Sequence, residues 1–295
     1  MNGKKSQNKT MNILIFGGAG FVGRHYAKYF LERGNLVEII DNIAPLSGGI
    51  HPKKWKLFNP FKFKKKFKFS NNDCRNFFKN NLNKKYDLVI NLAAIVGGRE
   101  VIENNPLAVA EDLEIDTAFW RWAVKNKIKI GHIITYSSSA AYPVHLQRRK
   151  NYRLLKETDI DFSKNFPFPS IIKRAINHKS KKIFIVWGSG YQMRDFIHIE
   201  DVVRGSLLIA KKIKNGKAVN LSSGKFLDFI TLSKKILAIL GKKNIKVKGN
   251  STKPEGVFAR GGSRSMQKKF GFSPNISIEQ GITSAIEYFD KNKIK

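Results

Sequence analysis

The stretch NILIFGGAGFVGRHYAKYF, residues 12 to 30, limits the fold more than any other part of the chain. Five apolar residues read as a strand, a glycine-rich turn follows at once, and the next residues place apolar side chains at helical spacing. Gly18, Gly20 and Gly23 stand in a G-x-G-x-x-G pattern between that strand and that helix. Glycines let the backbone come close to a pyrophosphate, and the helix N-terminus meets the phosphate charge with its positive end. Asp41 closes the next apolar run, LVEII at 36 to 40. A carboxylate there takes both ribose hydroxyls of an adenosine and repels a 2′-phosphate, so the spacing predicts NAD in preference to NADP.

The same alternation continues along the chain. KFKF (66 to 69), YDLVI (86 to 90) and HIITYS (132 to 137) read as further strands, and 21 to 33, 75 to 80 and 106 to 127 as helices. Strands alternating with helices imply βαβ units, hence an α/β fold with a doubly wound parallel sheet, the Rossmann arrangement. After Lys156 the pattern changes to FSKNFPFPS, a basic helix from Ile171 to His178, the strand IFIVW, and helices near 200 to 212, 228 to 240 and 277 to 289. We expect a NAD-binding domain over 11–165, a smaller C-terminal substrate lobe over 166–295 that can also lend strands to the sheet, and a flexible basic N-terminus over 1–10.

Charge is the unusual bulk property: 55 basic against 22 acidic residues, a formal net charge of +33. Lysines far outnumber arginines and occur in nearly every segment, which favours a bias of the whole chain over a nucleic-acid footprint. The densest run, KKWKLFNPFKFKKKFKF at 53 to 69, has two readings. It is a base-stacking, phosphate-holding patch, or an edge strand whose lysine face discourages sheet-to-sheet association; the second is favoured. A single cysteine, Cys74, excludes an internal disulfide and a cysteine-ligated metal site. With no apolar stretch long enough for a signal peptide or membrane span, the chain is expected in the cytoplasm.

With FGGAGFVG, DN at 41 to 42, DCR at 73 to 75, VINLAA at 89 to 94, SSSAAYP at 137 to 143, GSGYQMRDFIHIEDVV at 188 to 203, NLSSG at 220 to 224 and FSPNISIEQGI at 272 to 282 in order, the chain resembles the extended short-chain dehydrogenase/reductase family. These are the NAD-dependent epimerases and dehydratases of nucleotide sugars. The resemblance implies cofactor contacts from Gly17, Gly20, Phe21, Val22, Gly23, Asp41, Asn42, Asp73, Cys74, Leu92, Ala93 and Ala94. It makes Ser138 a catalytic serine and gives Ser139, Arg194 and Arg260 to a nucleotide-diphosphate sugar, with no metal. It is also compatible with a homodimer. From its chemistry alone, Arg194 is either a phosphate fork beside a glycine turn or an ion-pair partner of Asp195 or Asp201.

The family's chemistry also needs a tyrosine and a lysine spaced Tyr-xxx-Lys on one helix face, where the ammonium lowers a phenol pKa that is otherwise near 10. Tyr152 and Lys156 have that spacing, but a proline-broken, acid-containing segment follows them at once. IFIVWGSGYQMRD resembles a stretch that in the family lies well past the catalytic helix. A helix-plus-strand block, roughly 30 or more residues by the size of a βαβ unit, is therefore expected to be absent between about Ile160 and Pro167. Ser139 and Ala140 lack the acids that mark the family's dehydratases and decarboxylases, which leaves epimerisation through a keto sugar. The alternative is an internally deleted member that holds NAD without turnover.

Overall fold

The computed structural model describes residues 9–45, 47–95, 106–138, 142–159, 183–253 and 255–291. The expected deletion at 160–167, the helix at 171–178, the domain boundary at 165/166, Ser139 and most of the basic N-terminus lie outside those residues. Two compact units divide between Tyr136 and Ser137.

In the first unit, β1 (Asn12–Phe16) leads into α1 (Phe21–Glu32), then β2 (Leu36–Asp41), β3 (Phe67–Asn71), α2 (Cys74–Phe78), β4 (Leu88–Asn91), α3 (Pro106–Lys125) and β5 (Ile133–Thr135). The strands form one sheet in the order β3-β2-β1-β4-β5, with every pairing parallel. Near-continuous burial along β1, β2 and β4 is what a sheet covered on both faces requires. The order reverses direction beside β1, so a crevice opens beyond the carboxyl ends of β1 and β4. The core anchors that point. Phe16, the last residue of β1, meets Phe77, Phe78, Phe119 and Trp122 edge-on at 4.7–6.1 Å between ring centroids, the geometry that aromatic quadrupoles favour.

β3 is the edge strand foreseen for the lysine-rich run, but the strand covers only its end. Residues Pro60–Lys66 form a 3-10 segment. Pro60 starts it because proline sets a turn-like φ, Asn59 accepts a hydrogen bond from the Phe61 N–H, and Lys64 takes a positive φ of 48°. Trp55, Phe58, Phe61, Phe63 and Phe67 cluster ring against ring, and the neighbouring lysines are exposed. At the opposite edge, β5 has no strand beyond it among the described residues. Nearby in sequence, α3 exposes Leu113, Trp120 and Val124 along one stripe.

The second unit holds β6 (Ile183–Trp187), β7 (Met193–Asp195), α4 (Ile199–Ala210), β8 (Phe226–Asp228), α5 (Phe229–Ile239), β9 (Lys246–Asn250), β10 (Ala259–Arg260), α6 (Ser265–Lys269) and α7 (Ile278–Lys291). β6 pairs in parallel with β9, not with the five-stranded sheet. Periodicity alone would have added IFIVW to that sheet; the family resemblance placed it elsewhere, as observed. β7 lies between β10, parallel, and β8, antiparallel. Phe184 and Val186 pack with Leu232, Ile236, Leu237, Ile282 and Ile286 as this unit's core. None of the described helices is long and apolar enough to cross a membrane.

One polar cluster ties the first sheet together. Glu38 on β2 is only 6% exposed, and it accepts hydrogen bonds from Lys68 Nζ at 2.7 Å, Lys84 Nζ at 2.8 Å and the Tyr86 hydroxyl at 2.7 Å. Burial pushes the carboxyl's pKa up, and the three donors outweigh it, leaving the pKa below its ordinary value. A depressed carboxylate pKa stabilises the fold above the unfolded-state value and stops doing so as pH falls through the folded one. Glu38→Ala strands the buried phenol and should cost about 1–3 kcal/mol at neutral pH. Both lysine ammoniums are at least half exposed, so Lys68→Ala or Lys84→Ala should each cost under about 1 kcal/mol. Urea denaturation at pH 7 and pH 4 checks both statements, because the Glu38→Ala deficit must shrink at the lower pH.

Candidate functional site

The crevice of the first unit is built from backbone that cannot carry side chains. Gly17 follows β1 at φ 71°, where a Cβ would lie 2.6 Å from the backbone of Leu92. A Cβ on Gly18 would meet Ile39 at 2.7 Å, and one on Gly23 would sit 2.4 Å from the Gly18 Cα. These three glycines let β1, β2, β4 and α1 close on one another. Gly20 is different: a Cβ there meets only the Gly17 carbonyl oxygen, at 3.3 Å, and its φ of −70° suits any residue. A Cβ at 20 thus meets a single, mildly tight contact, far less than at 17, 18 or 23.

Gly20 is also the N-cap of α1, which has no side-chain cap and no acidic residue in its first turn. The positive end of a 12-residue helix is thus left without a carboxylate. Asp41 ends β2 beside this turn. Its Oδ2 accepts from the Ala19 N–H at 2.9 Å and its Oδ1 from the Ile43 N–H at 2.8 Å. Burial raises its pKa while those two N–H groups pull the other way. Each oxygen keeps a second lone pair, so the carboxylate is oriented without being used up. Ile43 takes a left-handed φ of 53°, unusual for a β-branched residue, and its N–H is the one that holds Oδ1. Asn42 is exposed, with its amide 3.5 Å from Asp73 Oδ2.

The other predicted cofactor residues fall into two groups. Phe21 is exposed on the first turn of α1, and Leu92 to Ala94 continue β4 past its carboxyl end, where the Leu92 N–H donates to the Phe16 carbonyl at 2.9 Å. Val22 is half-buried on the same turn. Asp73 caps α2 through the Arg75 N–H at 2.8 Å, and the Arg75 guanidinium grips both its oxygens, holding its pKa down. The Cys74 side chain points into the core with Leu14, Phe16 and Val89, and burial pushes its thiol up to about 12. Cys74 therefore offers a ligand its backbone alone.

In the second unit the two predicted arginines come together. Arg194 on β7 and Arg260 on β10 are register partners across a parallel pair, which sets them side by side on one face. Arg194 is 7% exposed, donates to the Met193 carbonyl at 2.7 Å and stands 5.5 Å from the Phe229 ring centre. Among the described residues no carboxylate forms an ion pair with it. Asp195 instead accepts from Ser222 and Ser223, and Asp201 pairs with Arg204, so the ion-pair reading of Arg194 is set aside. Burial lowers the pKa of each arginine to about 10, and for Arg194 the charge of Arg260 lowers it further. Two adjacent cations, Arg194 buried and Arg260 half-buried, fit a polyanion.

Ser138 is half-buried, three residues past β5. Tyr152 and Lys156 are not on a helix. Leu155 between them makes a parallel bridge to Gly262, with its N–H donating to Gly261 at 2.8 Å and its carbonyl accepting from Ser263 at 2.6 Å. The Tyr152 ring packs edge-on against Phe226 and Phe258 at 5.5 and 5.3 Å, and the Lys156 N–H is taken by Asp159 Oδ2 at 2.7 Å. Spacing alone suggested a helical pair; the contacts with 261–263 hold the segment strand-like instead. Gln147, which no motif marked, contacts Arg260 through its side chain.

The glycines predict a separable outcome. Gly20→Ala should leave stability within about 1 kcal/mol of the parent and lower NAD affinity at least about tenfold. Gly23→Ala must displace backbone and should cost about 3 kcal/mol or more. Thermal melts with calorimetric titration of NAD check the pair.

Comparison with known proteins bears on the family and the fold. The sequence model of the NAD dependent epimerase/dehydratase family matches residues 13–168 and 164–222, two stretches that meet at 164–168. The UDP-glucuronate 4-epimerase of Thermodesulfobacterium geofontis is 26% identical over 321 positions, covering 95% of this chain and 96% of that one. That alignment is longer than the 295-residue chain, so the relative carries residues with no counterpart here. A GDP-L-fucose synthase of Sinorhizobium fredii is 26% identical over 134 positions, 45% of this chain and 42% of its own. Among solved structures, the UDP-N-acetylglucosamine 4-epimerase of Methanobrevibacter ruminantium superposes with a TM-score of 0.77 at 19% identity, over 97% of this chain and 100% of that one. The dTDP-glucose 4,6-dehydratase of Bacillus anthracis, in complex with NAD, gives 0.74 at 16%, over 96% and 98%. The structural likenesses establish the fold, and the sequence match establishes the lineage: the chain belongs to the NAD dependent epimerase/dehydratase family, and its cofactor is NAD.

Proposed function

We propose that the protein holds NAD on its first unit and a nucleotide-diphosphate sugar on its second, as a binding member of the family that lacks the tyrosine–lysine pair needed for turnover. The carrying observation is that residues 152–156 are not helical and that Leu155, between the pair, is bridged to Gly262. On a helix, side chains four apart start about 5–6 Å from each other; along a strand the same residues lie about 13 Å apart. Lys156 then does not sit beside the Tyr152 phenol as depression of its pKa requires. The break in the family match at 164–168 supports the absence of the block that would carry such a helix.

In this reading Gly20 and the open end of α1 take the pyrophosphate, Asp41 orients the adenosine ribose, and Leu92 to Ala94 line the cofactor. Ser139, Arg194 and Arg260 serve the sugar nucleotide, the two arginines as the diphosphate clamp. The relatives named for UDP sugars support a nucleotide sugar as the ligand. NAD, when bound, supplies a hydride acceptor. Epimerisation through a keto sugar, the second reading, is favoured by the retained Ser138 and needs Tyr152 to take the hydroxyl proton.

Purified protein incubated with NAD and a panel of UDP, GDP and dTDP sugars separates the two. We expect NAD and UDP to bind in calorimetry, no change at 340 nm, no epimer by NMR, and binding unaltered in Tyr152→Phe. Turnover that disappears in Tyr152→Phe would overturn the binding-member reading in favour of the epimerase. A second expectation concerns Arg194→Lys, which keeps the charge but loses the planar fork: UDP affinity should fall about tenfold with NAD affinity unchanged.

A further inference from the structure

We infer that Gln147 is the positioning residue of the anion site, an amide that connects two backbone carbonyls to Arg260 and thereby sets the direction of its guanidinium. The inference rests on the reading of Arg194 and Arg260 as the diphosphate clamp. Gln147 ends the 3-10 turn Val144–Gln147 that follows Pro143, and it is 1% exposed. Its Nε2 donates to the carbonyl oxygens of Tyr142 at 2.9 Å and Pro143 at 3.3 Å, and its Oε1 accepts from Arg260 Nε at 2.8 Å. Carbonyl oxygens only accept, so the NH2 end must face them and the oxygen must face the arginine. The network itself fixes the amide's orientation.

The chemistry of the position is selective. A glutamate would bind Arg260 as well or better, but its carboxylate would face two carbonyl oxygens and would neutralise the guanidinium. A leucine or methionine would leave three buried polar groups without their partner. Only an amide of this length donates at one end, accepts at the other and carries no charge. It accepts from one of the guanidinium's five N–H donors and itself adds no charge beside it. The turn that presents it is itself held, because the Tyr142 hydroxyl donates to Asn220 Oδ1 at 2.7 Å. The register pairing of β7 with β10 then places the oriented Arg260 beside Arg194.

The test is a double-mutant cycle on UDP affinity, with thermal melts and NAD affinity as controls. Gln147→Met keeps the volume and removes the hydrogen bonds, and it should weaken UDP binding about tenfold. NAD binding on the first unit should not change. In an Arg260→Met background Gln147→Met should cost nothing further, whereas in an Arg194→Met background it should cost its full tenfold. Gln147→Asn, too short to reach both partners, should resemble Gln147→Met with a smaller loss of melting temperature. If the Gln147 and Arg260 effects add, or if folded Gln147→Met binds UDP within twofold of the parent while Arg260→Met does not, the positioning role is wrong. If Arg260→Met and Arg194→Met both bind UDP like the parent, the clamp reading fails, and the inference fails with it.

Discussion

The close approach of the Gly17 turn to the backbone of Leu92 and Ala93 is the contact on which the first unit depends. A methyl group at 17 would stand 2.6 Å from main-chain atoms that cannot move aside. Because that contact is made by backbone alone, β1 and β4 can end side by side and the start of α1 can sit above them. Gly18 and Gly23 extend the same principle to β2 and to the helix itself. Aromatic packing below, centred on Phe16, holds the strand end that the turn leaves from. The crevice is thus a by-product of how tightly this sheet closes, while a Cβ at Gly20 would meet only the Gly17 carbonyl oxygen, at 3.3 Å.

The second unit solves the opposite problem. It must keep charge, not space, in the right place. Two guanidiniums on adjacent strands repel, and burial makes each costlier to keep ionised. Among their described contacts are neutral hydrogen-bonding groups: a main-chain carbonyl for Arg194 and the Gln147 amide for Arg260. A carboxylate paired with Arg194 would neutralise that charge; among the described residues none forms an ion pair with it.

Much of this was legible in residue order. Apolar runs located β1, β2, β4 and β5, since buried parallel strands are continuous in sequence, the alternating KFKF located β3, and the helices expected among the described residues agreed to within a few residues. The glycine pattern and Asp41 marked the turn that the structure places between β1 and α1, with the Asp41 carboxylate accepting from the Ala19 N–H. Arg194 and Arg260 needed the family resemblance, because nothing in their local sequence tells a buried fork from an ion pair. Two features resisted. FKFKKKF alternates like a strand, yet proline and asparagine at its start turn it into a 3-10 segment. YRLLK has helical spacing, yet its backbone hydrogen bonds go to residues 261 and 263, more than a hundred positions away. Gln147 had no signal at all: a glutamine in a loop gains its meaning only from what the fold brings to it.

Among the described residues α3 exposes an apolar stripe and β5 has no strand beyond it, and both bear on how the protein behaves in concentrated solution. Leu113, Trp120 and Val124 offer a sticky surface, and a lone strand edge offers a template for pairing. A net charge of +33 opposes the approach of one copy to another. That protection reaches only as far as the ionic atmosphere allows, about 8 Å at physiological strength and about 3 Å in molar salt. Lysines scattered over the chain, uninformative about catalysis, thus act as a colloidal stabiliser, and the chain should stay dispersed in dilute buffer and clump as the medium becomes saltier.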